Sequence, residues 1–232
     1  MHNYVLPDSV KDRVVRRMGK LFAHDTIEAG GTALLVVDMQ KYFCAPGFPH
    51  EVPMARKIVP NINRLAEALR TAGGAVAWIQ MTGAGALDQW HNYTTRMLTA
   101  DRQKKRIAGL DEASEGFKLL PSLGVLPGDL LVKKNKYSAF IPGSSDIDAK
   151  LKARAIDTVL IAGTATNVCC ESTARDAMML DYTVIMVSDS TAAFTDEEHA
   201  GALNTFMLFF GDVMSTDEVI GRIAPVNDRK RF

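Results

Sequence analysis

Between Asp157 and Asp176 the sequence reads D-T-V-L-I-A-G-T-A-T-N-V-C-C-E-S-T-A-R-D. Its apolar run, Val159 to Ala162, is short and unbroken, with β-branched residues at Thr158, Val159 and Ile161. Such a run suits a strand buried on both faces of a parallel sheet. Gly163 ends it, a polar turn spans Thr164 to Asn167, and a helical stretch follows from Cys169 to about Leu180. A strand of this kind needs a helical layer above and below it, so it constrains the fold more than any other feature.

Further runs repeat the signal. Thr32–Val37, Ala75–Gln80, Leu130–Lys133, Tyr182–Val187 and a short piece near Val213–Ser215 read as strands. Helical spacing marks Met54–Thr71 (Ile58, Ile62, Leu65, Ala66, Leu69), Ser145–Ala155 and Asp196–Phe209 between them. Strands alternating with helices imply right-handed crossovers and a three-layer α/β/α domain around a doubly wound, mostly parallel sheet. Residues 1–30 read as an extension with an amphipathic helix over Asp8–Phe22, packed on the body or on another subunit. Residues 31–232 read as one domain. Thr82–Leu126 is the longest stretch without a clear period, and its basic run Arg102–Arg106 reads as a solvated face.

Lys+Arg and Asp+Glu both number 27, so no general attraction to nucleic acid or membrane is expected. No apolar run approaches membrane-spanning length, and the start of the chain has no signal-peptide core. Three cysteines, Cys44, Cys169 and Cys170, are too few for a disulfide scaffold, which points to a reduced, cytoplasmic protein. Neither a G-x-G-x-x-G nor a Walker pattern occurs, so nucleotide binding has no support.

The central segment sets a thiol where a strand tip meets a helix N-terminus. There, free N–H groups and the helix dipole favour thiolate, and the same N–H groups can hold an oxyanion. Two buried core cysteines would produce the same letters. Two more groups sit at carboxyl ends of strands, where open α/β sheets place their ligands: Asp38, and a lysine within Lys133-Lys134-Asn135-Lys136. An acid, a cation and a thiol in one crevice would make a nucleophilic hydrolase.

Three ordered motifs now resemble the isochorismatase-like cysteine hydrolase superfamily: A-L-L-V-V-D-M-Q-K-Y-F (33–43), K-x-x-x-S-A-F (Lys134 to Phe140) and G-T-A-T-N-V-C-C-E-S-T-A-R-D-A (163–177). The resemblance covers about Thr32 to Val219. It implies a catalytic triad of Asp38, Lys134 and Cys169, with Cys170 at an apolar position of the pattern. It also implies a cis peptide at Thr164–Ala165 and an oxyanion hole from the Ala165 and Cys169 N–H groups. Members that cleave a vinyl ether lack the cysteine, so its presence implies C–N bond hydrolysis through a thioester. The metal-binding D-x-H of the nicotinamidase branch is missing, since Gln89 and Trp90 follow Asp88 and His91 is isolated. No metal and no cofactor are therefore expected. The motifs look most like those of ureidoacrylate-type amidohydrolases. Other small amides (biuret, a maleamate, a hydrazide, a nicotinamide-like substrate) and a non-enzymatic thiol redox or binding protein are the alternatives. Candidate pocket residues are Gln40, Phe43, Trp78, Trp90, Tyr93, Tyr137, Phe140 and Asn167. A homodimer or homotetramer is what the resemblance implies.

Overall fold

Buried apolar runs become strands because they satisfy their backbone groups only by pairing with one another. The computed structural model describes residues 1–224, so 225–232, the end of the domain read from sequence, lie outside the described residues. Its strands are β1 (Ile27–Glu28), β2 (Thr32–Val37), β3 (Ala75–Met81), β4 (Leu130–Lys134), β5 (Thr158–Thr164), β6 (Thr183–Ala192), β7 (Asp212–Met214) and β8 (Ile223–Ala224). Six of them form one sheet in the order β4-β3-β2-β5-β6-β7. All neighbours in it run parallel. β1 pairs separately with β8.

Every residue of β2 is buried, and alternate side chains serve two cores. Leu34 and Val36 join Ile58, Ile62, Leu65 and Leu69 beneath the Val59–Thr71 helix. Ala33, Leu35 and Val37 face the opposite layer with Leu151, Ala174, Leu203 and Phe206. That layer holds the helices Ile147–Lys152, Glu171–Met179 and Asp196–Phe209. This is the three-layer α/β/α arrangement expected of such strands. The chain winds outward from β2 to β3 and β4 on one side, and from β5 to β6 and β7 on the other. The switch between the two directions leaves a crevice at the carboxyl ends of β2 and β5.

Thr82–Leu126 departs from its reading as irregular: it contains the helices Ala86–Gln89, His91–Arg96 and Ala100–Gly109. The last is capped by Thr99, whose side chain accepts a bond from the Arg102 N–H. Polar residues dominate its outer side and mask the period in sequence. The N-terminal helix spans Asp8–Met18, starts after Pro7 and stops at Gly19, whose φ is 77°. Among the described residues no helix is long and apolar enough to cross a membrane.

Candidate active site

Asp38 follows β2 directly and has a left-handed backbone, φ 53°, a conformation that aspartate tolerates better than most residues. Its carboxylate is 1% exposed. Oδ2 accepts a hydrogen bond from Lys134 Nζ at 2.8 Å, while Oδ1 is buried with no partner among the described residues. Lys134 ends β4, two strands away. Period-two alternation turns Val132 and Lys134 inward and Leu131 and Lys133 outward. Lys134 Nζ gives a second bond to the Lys136 carbonyl at 3.1 Å. Lys133 instead pairs at the surface with Glu112.

β5 delivers the third group. Its pairing with β6 jumps from Ile161↔Met186 to Gly163↔Thr191. At the jump, Gly163 has φ 111°, and a Cβ there would lie 2.0 Å from the Val37 carbonyl oxygen, so only glycine fits. The Thr164–Ala165 peptide that follows is cis. Thr166–Cys170 then forms a π-helical turn, closed by the Cys170 N–H to Ala165 carbonyl bond at 3.1 Å, before the Glu171–Met179 helix begins. Cys169 faces the crevice, whereas Cys170 is wholly buried with Sγ 3.8 Å from the Ala162 carbonyl oxygen.

The electrostatics differ from the expectation of a ready thiolate. Burial, and then the neighbouring Asp38 carboxylate, push the Cys169 thiol up to about 12, against the opposite pull of Lys134 and Arg106. Desolvation outweighs the favourable cations because the thiol sits inside the turn and not at an exposed helix end.

Asp38, Thr164, Ala165 and Cys169 form the polar head of a cavity of about 150 Å³. Phe43, Val52, Val168 and Phe194 give it apolar walls; Tyr93, Tyr137, His50 and Arg106 complete it. Of the pocket residues anticipated from sequence, Phe43, Tyr93 and Tyr137 line it. The other five do not. Gln40 is fully buried and spends its amide on Met81 and Phe117 backbone groups. Trp78 lies in the core beneath the Val59–Thr71 helix, its indole N–H donating to Asp129 Oδ2 at 2.7 Å. Phe140 packs on Tyr182 in the opposite core. Trp90 stands one layer behind the wall, stacked on Tyr93 at 4.3 Å and edge-on to Tyr137 at 4.7 Å. Asn167 belongs to the π turn, with a buried Oδ1 that has no partner among the described residues.

Arg106 is the main residue the sequence reading missed. It is 7% exposed, not solvated, and lies against the rings of Phe43 (6.0 Å) and Tyr93 (5.4 Å). The available signal was its phase: Arg106 stands four residues before buried Leu110 and three after half-buried Gln103. Among the described residues, no group of three His, Cys, Asp or Glu side chains is arranged to hold a metal ion.

Comparison with known proteins agrees with this architecture. The ureidoacrylate amidohydrolase RutB of Variovorax paradoxus (strain S110) is 32% identical over 216 residues, covering 86% of this chain and 84% of its own. Among solved structures, a cysteine hydrolase from Pseudomonas syringae pv. phaseolicola 1448A superposes with a TM-score of 0.75 at 32% identity, covering 88% of this chain and 98% of that one. N-carbamoylsarcosine amidase from Thermoplasma acidophilum gives 0.63 at 25% identity, over 80% and 96%. The isochorismatase domain model matches residues 32–218, and the chain belongs to the isochorismatase family.

Proposed function

We propose that the protein is a cysteine-dependent amidohydrolase that cleaves a C–N bond of a small amide or ureido substrate. One observation carries the reading: a buried carboxylate, tied through Oδ2 to Lys134 and with no partner for Oδ1 among the described residues, shares the head of a cavity with the Cys169 thiol. The similarity to a RutB ureidoacrylate amidohydrolase and to an N-carbamoylsarcosine amidase supports the bond type.

With its thiol pushed up to about 12, Cys169 enters the reaction neutral. Asp38 takes the S–H proton as sulfur attacks the carbonyl carbon, so no free thiolate accumulates. Lys134 keeps the acceptor oriented and offsets its charge. The Ala165 and Cys169 N–H groups hold the tetrahedral oxyanion. Asp38 returns the proton to the leaving nitrogen as the C–N bond breaks, leaving a thioester. It then takes a proton from water, which attacks the thioester; the acid product leaves and the thiol is restored.

Ureidoacrylate-type substrates are the finer reading, resting on motifs and relatives. A redox or sensor role for the cysteine pair fits less well, because sensor thiols are exposed and low in pKa, whereas both thiols are buried and pushed upward. The test is an ammonia-release screen over ureido acids, carboxamides, nicotinamide and biuret, with and without EDTA. Turnover of at least one amide, lost in Cys169→Ala and indifferent to EDTA, is expected. Turnover that persists in Cys169→Ala, or that chelation removes, would overturn the mechanism.

A further inference from the structure

We propose that Arg106 selects the substrate by pairing with a carboxylate carried at the end remote from the reacting carbonyl. This rests on the amidohydrolase reading and deepens it from "a small amide" to an anionic one, an amic or ureido acid.

Burying a guanidinium away from water is costly unless an anion compensates it. Arg106 is 7% exposed. Its guanidinium has no Asp or Glu within ion-pair distance and donates no hydrogen bond among the described residues, unlike buried Lys134, which has Asp38. What surrounds it is aromatic: Phe43 at 6.0 Å and Tyr93 at 5.4 Å. The two rings flank the cation favourably, and Arg106 itself lines the cavity. A planar fork held in this way suits two-point recognition of a carboxylate.

The position in the cavity sets the rest. Arg106 and Cys169 line the same space of about 150 Å³, close enough for the Arg106 charge to act on the thiol. A space of that size takes a molecule about as large as benzene. The carboxylate and the scissile carbonyl are therefore only a few bonds apart. Acids such as maleamate or 3-ureidopropionate meet that requirement. Biuret, nicotinamide and simple hydrazides bring no anion for Arg106 to pair with.

The experiment compares matched pairs: maleamate against maleamide, and 3-ureidopropionate against its carboxamide. The two pairs separate amic from ureido acids. The quantity read is the ratio of kcat/KM for the acid over the neutral partner. The wild type is expected to favour the acid by roughly 10- to 100-fold in at least one pair, the range of a charge-assisted hydrogen bond. Arg106→Gln should collapse the ratio towards one, and Arg106→Lys should retain part of it. Because a ratio is read, a partly folded preparation does not distort the result. A second readout needs no turnover: succinate, but not succinamide, should slow iodoacetamide modification of Cys169, and Arg106→Gln should abolish the difference. If no amide is hydrolysed, the catalytic reading fails while the protection assay still tests Arg106. If Arg106→Gln does not fold, the wild-type comparisons and Arg106→Lys decide. An acid-to-neutral ratio near one in the wild type, or a ratio unchanged by Arg106→Gln, overturns the proposal.

Discussion

A thiol pushed up to about 12 is almost entirely protonated at neutral pH, and its reaction with an alkylating agent follows the small thiolate fraction. Well below its pKa that fraction grows about tenfold per pH unit. Iodoacetamide modification of Cys169 should therefore climb steadily between roughly pH 7.5 and 9.5, on the logic that only thiolate reacts. A plateau near neutrality would mean a preformed thiolate and would remove the need for Asp38 as proton acceptor. Burial is the first cause of the upward shift and the Asp38 carboxylate the second, with Lys134 and Arg106 pulling down. Asp38→Asn deletes an upward influence and frees Lys134, so the thiol should titrate at lower pH than in the wild type. Alkylation at pH 8 should then speed up while amide turnover disappears, because no group remains to carry the proton to nitrogen. Slower alkylation together with lost turnover would show that the carboxylate stabilises the thiolate instead. Cys170, sealed behind the turn, should stay unmodified in both proteins.

β5 shows how an element can be specified by one backbone position. Its apolar run makes it a central strand, but Gly163 decides where the chain leaves the sheet and so where the turn bearing Cys169 begins. Gly163→Ala would set a Cβ 2.0 Å from the Val37 carbonyl oxygen at φ 111°. Strain and overpacking together should cost roughly 3 kcal/mol or more. Chemical denaturation should show that loss; a midpoint close to wild type would mean β2 and β5 can separate without penalty. The same strand explains why much of the site was legible. Asp38, Lys134 and Cys169 all stand at the ends of apolar runs or in the turn after one, and such runs announce themselves. Pocket walls were harder. Trp78 and Phe140 are aromatic and near the motifs, yet strand parity sends Trp78 to the other core and packing sends Phe140 inward. Neither outcome can be read before the helical layers are known. Arg106 was hidden for a related reason: in R-Q-K-K-R the inward position is defined only by the phase of a helix whose outer face is equally charged.

At the scale of the whole molecule, the first residues are draped over the layer that supports the site. Val10 and Val14 are buried in the core that also contains Leu203 and Phe206 of the Asp196–Phe209 helix. Tyr4 donates to Asn204 Oδ1 at 3.0 Å, and the Ala23 and His24 N–H groups donate to buried Asp212. His2 stacks on His199 with ring centroids 4.4 Å apart. His199 Nδ1 is in turn 2.9 Å from Thr166 Oγ1, inside the turn that carries Cys169. Burial, with the positive influence of His2 second, pushes His199 down to about 4, so it stays neutral through the physiological range. Val10 and Val14 of the Asp8–Met18 helix are thus covered by the chain's own core, and the loss of this helix should appear first as instability of the single chain. Two buried valines are worth about 3–6 kcal/mol together. At a few degrees per kcal/mol for a chain of this size, deleting residues 1–25 should lower Tm by roughly 10 °C. Turnover per folded molecule should also fall, because Thr166 and His199 lose the ring that backs them. His2→Ala separates the two effects: it spares Val10 and Val14, so it should reduce turnover with a much smaller change in Tm. A truncated protein that melts with the full-length chain would show that the extension is not part of the folding unit. One that melts early yet turns over substrate normally at low temperature would break the link from His2 through His199 to the turn that carries Cys169.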